Sequence, residues 1–160
     1  MKTLIKLGGT LLDNRASRDA LAVQIAALPA AGVQPVVVHG GGKQMTRFLS
    51  AQGVESRFVN GLRVTSPEII DAVLKVFAGS VNKELVAALV AAGAPAVGLS
   101  GIDGALAEAR QMNPELGAVG QIVRTNPEVL EALVAGGFIP VVACVAGDRQ
   151  GNIYNVNADQ

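Results

Sequence analysis

The sequence predicts an α/β fold built on a mainly parallel sheet, and three observations carry that reading. Short apolar runs alternate with longer segments of helical spacing, the order that builds a parallel sheet with crossover helices. Runs such as Pro35–His39 and Phe138–Ala143 are apolar at successive positions, as in strands covered on both faces. Half of the 160 residues are apolar, only 16% are charged, and mean hydropathy is +0.41, a composition suited to such a sheet. The length fits one domain, or most of one, with a sizeable core.

Thr3–Leu7 reads as the first strand, stopped by Gly8-Gly9. Ser17–Ala31 carries helical apolar spacing at Leu21, Ile25 and Leu28, with Ser17 as the expected N-cap and Gly32 as the stop. Pro35–His39 is the second strand, followed by Gly40-Gly41-Gly42 and a helix over 43–51. Asn60-Gly61, between Phe58-Val59 and Leu62-Arg63-Val64, is a hairpin signal, because both turn positions must tolerate positive φ. Thr65-Ser66-Pro67-Glu68 opens the longest helix, with Thr65 and Glu68 at capping-box spacing and Pro67 in the first turn. That helix runs to about Ala92 and ends at Gly93, with Gly79 inside it as a kink or a close helix contact. Ala96–Leu99 is a third buried strand. Residues 105–124 read as antiparallel strands around 113–117. A helix follows from Asn126-Pro127-Glu128 to Gly136-Gly137, then the strand Phe138–Ala143 and a turn over 147–152. Asn157 reads as the N-cap of a further helix that the sequence does not continue, so the chain is expected to be a piece truncated at Gln160.

Composition removes several functional classes. Thirteen basic and thirteen acidic residues cancel, and there is one Tyr, four Phe and no Trp. Neither a basic surface nor stacking aromatics point to nucleic acid. Lys6 interrupts the apolar start, so residues 1–6 are no signal peptide. No apolar stretch approaches the roughly eighteen residues of a membrane span. One cysteine excludes an internal disulfide and suits a reducing cytoplasm.

Two segments carry the chemistry. Lys6-Leu7-Gly8-Gly9 places a lysine near a strand's end and two glycines in the turn after it; His39-Gly40-Gly41-Gly42 repeats the arrangement at the next strand. Ligands of open parallel sheets bind beyond the carboxyl ends of the strands. Glycines there let backbone N–H groups approach an anion, and a following helix start adds a favourable dipole. The pair suggests a polyanion such as phosphate, with Lys6 as a mobile point charge. The loop before Lys43 is neither a Walker A loop nor a complete dinucleotide fingerprint, since Gln44 stands where Ser or Thr is needed and the third fingerprint glycine is missing. His39, the only histidine, reads as structural, Cys144 as core, and nothing has metal-ligand spacing. Arg63 reads from its position as a solvated charge on an exposed hairpin, or as a grip for a carboxylate.

Lys6-Leu7-Gly8-Gly9, Val38-His39-Gly40-Gly41-Gly42, Asn60-Gly61-Leu62-Arg63-Val64-Thr65 and Asn155-Val156-Asn157-Ala158-Asp159-Gln160 occur in this order in acetylglutamate kinases. The chain resembles that family over its whole length, including Asn82-Lys83, Gly98-Leu99-Ser100-Gly101 and Gly120. The third and fourth segments are specific; the glycine motifs by themselves indicate the wider amino-acid kinase superfamily. The resemblance implies a three-layer αβα sandwich, the N-terminal lobe of the amino-acid kinase fold. It implies ATP-dependent phosphorylation, with Mg2+, of the γ-carboxylate of N-acetyl-L-glutamate in arginine biosynthesis. By the same motifs Lys6 resembles the lysine that stabilises the transferring phosphoryl group, and Asp159 the aspartate that organises the catalytic lysines. Gly8 and Gly9 resemble backbone donors to phosphate, and Gly41 and Gly42 donors to the substrate. Arg63 resembles the residue holding the substrate's α-carboxylate, Asn155 the one binding its acetylamino end, and the helix from Pro67 the family's homodimer helix.

The family's ATP-binding C-terminal lobe, with its second catalytic lysine, has no counterpart in residues 1–160, which are expected to form the acetylglutamate-binding lobe. A carboxylate nucleophile is already ionised, so positioning and charge neutralisation should dominate catalysis. Two alternatives stand beside this reading: a kinase for a related acid such as acetylaminoadipate, and a non-catalytic acetylglutamate-binding or dimerisation module.

Overall fold

A computed structural model describes residues 1–160. Strand β1 (Lys2–Leu7) leads through the single-turn helix α1 (Gly9–Leu12) to α2 (Arg15–Ala27), and thence to β2 (Gln34–His39). Helix α2 ends one turn earlier than its apolar spacing suggests, because Pro29 belongs to a tighter 3-10 turn over Leu28–Ala31, closed by Gly32 at φ 76°. Its N-cap is Asn14 rather than Ser17: the Asn14 side chain accepts from the Ser17 N–H, which makes Ser17 the third helical residue.

After α3 (Gly42–Ala51) the chain forms the hairpin of β3 (Phe58–Val59) and β4 (Leu62–Arg63), with Asn60 at φ 50° and Gly61 at φ 79° as the two turn residues. A continuous helix follows in three parts: α4 (Pro67–Val73), a wider π-helical stretch (Leu74–Val81) and α5 (Asn82–Ala91). Its cap is Ser66, whose hydroxyl accepts from the Ile69 N–H, and not Thr65. Thr65 is fully buried and its hydroxyl donates to the Arg63 carbonyl, so it is unavailable for a capping box. Gly79 lies in the wide stretch, where an added Cβ would meet only the Leu74 carbonyl at an ordinary 3.7 Å. It lies inside the stretch of altered pitch and makes no close helix contact.

The remaining elements are β5 (Ala96–Ser100), β6 (Ala107–Gln111), β7 (Gly120–Thr125), α6 (Glu128–Ala135), β8 (Ile139–Ala143), β9 (Val145–Gly147) and β10 (Ile153–Asn155). The central sheet has the order β1-β2-β8-β5 and is parallel throughout. Alternation along its strands divides the core. Val37, Ile139 and Val141 join Ala22 and Ile25 of α2 and Leu85 and Leu89 of α5 in one cluster. Leu99 and Val142, with Val36 and Val38, pack on Val129, Leu130 and Leu133 of α6 in the other. Helices therefore cover both faces, giving the α/β sandwich.

The second sheet, β10-β9-β6-β7, is antiparallel except where β6 meets β9. Only Cys144 separates the end of β8 from the start of β9, so this sheet rises directly from the carboxyl end of the central one. No helix is long and apolar enough to cross a membrane.

Candidate functional site

Register alone brings the ends of the central strands into line. Leu7 is paired with His39, His39 with Ala143, and Ala143 with Ser100, each the last residue of its strand. The two glycine loops leave this row side by side. A cleft above it is lined by Lys6, Gly8, Gly9, Gly41, Gly42, Arg63 and Asn155, together with Phe58, Phe77, Val119 and Cys144. Seven of the eight residues named from the sequence thus share one cleft, and the eighth, Asp159, reaches it through Lys6.

Two of the glycines lie at close approaches. A Cβ on Gly9 would lie 3.1 Å from the backbone nitrogen of Gly42, so the two loops touch each other. The Gln44 side chain, donating to the Gly9 carbonyl at 3.2 Å, ties them together. A Cβ on Gly41 would lie 2.9 Å from the Phe77 ring, which rises from the wide helical stretch beneath the loop. Gly42 begins α3, whose first-turn N–H groups have no partner within the helix and carry its positive dipole end. Its own Cβ position is open space, as is that of Gly8.

Arg63 is buried, at 6% exposure, and not a solvated hairpin charge. Strand β4 turns it inward, where its guanidinium donates to Ser56 Oγ, to the Gly42 carbonyl (3.1 Å) and to Thr46 Oγ1 (2.8 Å). The Phe58 ring lies 4.6 Å from its central carbon, a cation–π distance. All three acceptors are neutral oxygens. Burial pulls the Arg63 pKa down from its ordinary value, the direction expected of a cation taken from water without a counter-anion. The guanidinium is thus held in one orientation, with no anionic group among its partners. Thr65 links it to Asn155: Asn155 Nδ2 donates to Thr65 Oγ1 at 3.2 Å, and that hydroxyl donates to the Arg63 carbonyl at 2.8 Å.

Lys6 Nζ lies 2.7 Å from Asp159 Oδ1. The Asp159 backbone is fixed in turn by its N–H donating to the Asn157 side chain at 3.1 Å. Cys144 lines the cleft floor, but burial pushes its thiol up to about 12, so it is not a thiolate nucleophile near neutrality. Burial lowers the His39 pKa, and its ring lies between Gly40 and Asn82 rather than in the cleft lining. No three His, Cys, Asp or Glu side chains converge to form a metal cage.

Several contributors are not apparent from the sequence. Ser56 and Thr46 steady Arg63, and Phe77 supports Gly41. Asn82, named in the sequence only as part of the Asn82-Lys83 resemblance, is fully buried, and its amide contacts the His39 ring and the Val141 carbonyl.

Comparison with known proteins agrees with this geometry. The model of the amino acid kinase family matches residues 1–160. The acetylglutamate kinase of Solibacter usitatus (strain Ellin6076) is 71% identical over 160 residues, and that of Synechococcus sp. (strain CC9311) is 46% identical over 159. All of this chain matches the first and 99% of it the second, but it spans only 62% and 56% of their respective lengths. Among solved structures, the N-acetylglutamate synthase of Neisseria gonorrhoeae, complexed with coenzyme A and N-acetyl-glutamate, superimposes with a TM-score of 0.84. It is 25% identical, and the match covers 98% of this chain and 36% of that one. With a family model matched from end to end and the fold to go with it, the chain belongs to the amino acid kinase family.

Proposed function

We propose that residues 1–160 are the acetylglutamate-binding lobe of an acetylglutamate kinase, which transfers the γ-phosphoryl group of ATP to the γ-carboxylate of N-acetyl-L-glutamate. The observation that carries this is one cleft in which a buried, counter-ion-free Arg63 and the Asn155 amide share a wall with Lys6 and two glycine loops. The 71% identity to the Solibacter usitatus acetylglutamate kinase supports the choice of acid.

In this reading Arg63 holds the substrate's α-carboxylate and Asn155 its acetylamino group, with Gly41 and Gly42 as backbone donors to the substrate. The γ-carboxylate, already ionised, attacks the γ-phosphorus. A new P–O bond forms, the bond to the ADP oxygen breaks, and an acyl phosphate and ADP result, with no base needed to remove a proton. Nucleophile and phosphoryl group are both anionic, so the chain's task is to offset their repulsion. Lys6, steadied by Asp159, and the backbone of Gly8 and Gly9 carry that role on the phosphate side. Mg2+ would accompany the phosphates of ATP. The chain's own side chains form no cage for it, and no step here runs through it.

The further length of the curated relatives is where we place the site for the nucleotide's base and ribose. We also assign a homodimer contact to the helix beginning at Pro67, on which Ile70 and Leu74 stand half-buried four residues apart. The single buried cysteine supports a cytoplasmic setting.

The test is turnover by the full-length protein with ATP and a panel of acids. ADP release with N-acetyl-L-glutamate and little with acetylaminoadipate is expected; preference for the longer acid would replace the substrate, and no turnover with either would overturn the kinase reading. Calorimetric titration of the 160-residue chain should show N-acetyl-L-glutamate binding without comparable ATP binding.

A further inference from the structure

We propose that His39 is a positioning residue: locked in one tautomer by Asn82, it fixes the Gly40–Gly41 peptide and so aims the Gly41 N–H at the cleft. The substrate named for that cleft rests on the reading above; the geometry of the lock does not.

The His39 ring is fully buried, with Nδ1 2.8 Å from the Gly40 carbonyl oxygen and Nε2 3.0 Å from Asn82 Nδ2. The same Asn82 nitrogen lies 2.9 Å from the Val141 carbonyl. A carbonyl can only accept, so the amide end facing Val141 must be the NH2 group. One of its hydrogens goes to Val141 and the other to His39 Nε2. Nε2 is then an acceptor, and the ring proton must sit on Nδ1, donating to Gly40. The opposite tautomer would set N–H against N–H at Asn82 and lone pair against lone pair at Gly40.

Asn82 is in turn immobilised. Its Oδ1 faces Gly98, where a Cβ would come within 2.0 Å, and its own backbone N–H donates to the Phe77 carbonyl across the wide helical stretch. A peptide unit is planar and trans, so its C=O and N–H point in opposite directions. The hydrogen bond that pulls the Gly40 oxygen down into the core therefore turns the Gly41 N–H the other way, toward the cleft that Gly41 lines. Phe77, beneath Gly41, holds the same loop from the helix side. His39 touches no reacting atom in this scheme; it acts through the backbone.

His39 is the single histidine, so selective 15N labelling of the ring gives one spin system. We expect a neutral Nδ1–H tautomer in the protein. A protonated Nε2, or fast averaging of the two forms, would overturn the proposal without reference to any substrate. In the full-length protein, His39→Leu should raise KM for N-acetyl-L-glutamate about tenfold while kcat falls far less, since one buried grip is lost and none of the charge-bearing groups. In wild type, N-acetyl-L-glutamate should shift the Gly41 amide resonance, and the leucine variant should lose that shift. His39→Asn carries its amide nitrogen near the Nδ1 position and should recover KM to within about threefold. An unaltered KM and an unaltered Gly41 amide in the leucine variant would count against the lock. If the wild-type protein fails to bind N-acetyl-L-glutamate, the assigned substrate falls instead, and the tautomer, with the Gly41 amide shift on going from wild type to the leucine variant, decides the positioning role.

Discussion

Lys6, near the end of the first strand, and Asp159, in the turn after the last, meet with Nζ and Oδ1 2.7 Å apart. Their side chains are 42% and 65% exposed, and exposed pairs contribute roughly 0–1 kcal/mol to stability. The pair is better understood as fixing the direction of an ammonium group that faces the cleft. On the proposed function, replacing Lys6 with Ala should therefore lower kcat of the full-length protein about 10²-fold or more. The unfolding free energy should move by no more than about 0.5 kcal/mol. Single-turnover kinetics beside a urea titration would separate the two, and near-wild-type turnover would remove Lys6 from the chemistry.

Arg63→Lys keeps the charge but gives up the planar fork that donates to Gly42, Thr46 and Ser56. KM for N-acetyl-L-glutamate should rise about tenfold, the scale of one charge-assisted hydrogen bond. Steady-state kinetics check this, and an unchanged KM would place Arg63 outside the substrate site.

Neighbouring glycines should respond in opposite ways. Gly41→Ala drives a methyl group into the Phe77 ring and should cost about 1–3 kcal/mol of stability as an overpacked contact. Gly42→Ala meets no protein atom, so the fold should tolerate it, yet its methyl group stands beside the cleft. Acid binding should weaken about tenfold, on the scale of a methylene in a close-fitting pocket. Thermal melts and calorimetry on both variants would show whether the pattern holds.

The Cys144 thiol, buried and pushed up to about 12, should be silent toward a thiol-specific disulfide reagent at pH 8. Colour should appear only as the protein unfolds in denaturant. Rapid labelling of the native protein would contradict the packing of the strand end.

Stability should depend on pH through His39. Burial lowers its folded pKa beneath 6.5, so between that lowered value and 6.5 the unfolded chain binds more protons than the folded one. Stability is then complete above 6.5 and falls as pH drops through it, by at most about 1.4 kcal/mol per pH unit for one proton. Urea midpoints at pH 7.5 and 5.5 would measure the slope, and His39→Leu should flatten it.

Much of this protein was legible in the sequence because local rules govern it. Glycine after an apolar run ends a strand, Asn60-Gly61 supplies the two positive-φ positions a tight hairpin needs, and doubly apolar runs announce strands with helices on both sides. The motif order also named the residues that the cleft draws together. The errors came where a tertiary contact outbid a local preference. Thr65 has good capping chemistry, but its hydroxyl is taken by Arg63 and Asn155, and the cap passes to Ser66. Arg63 has the sequence position of a solvated charge, yet β4 turns it beneath α3, and no spacing rule encodes that burial. The Lys6–Asp159 pair, the Phe77 brace and the Asn82–His39 lock join residues far apart in the chain, and only strand register and helix pitch decide that they touch. The sequence by itself determined the elements and the chemical groups; folding decided which of those groups face one another across the cleft.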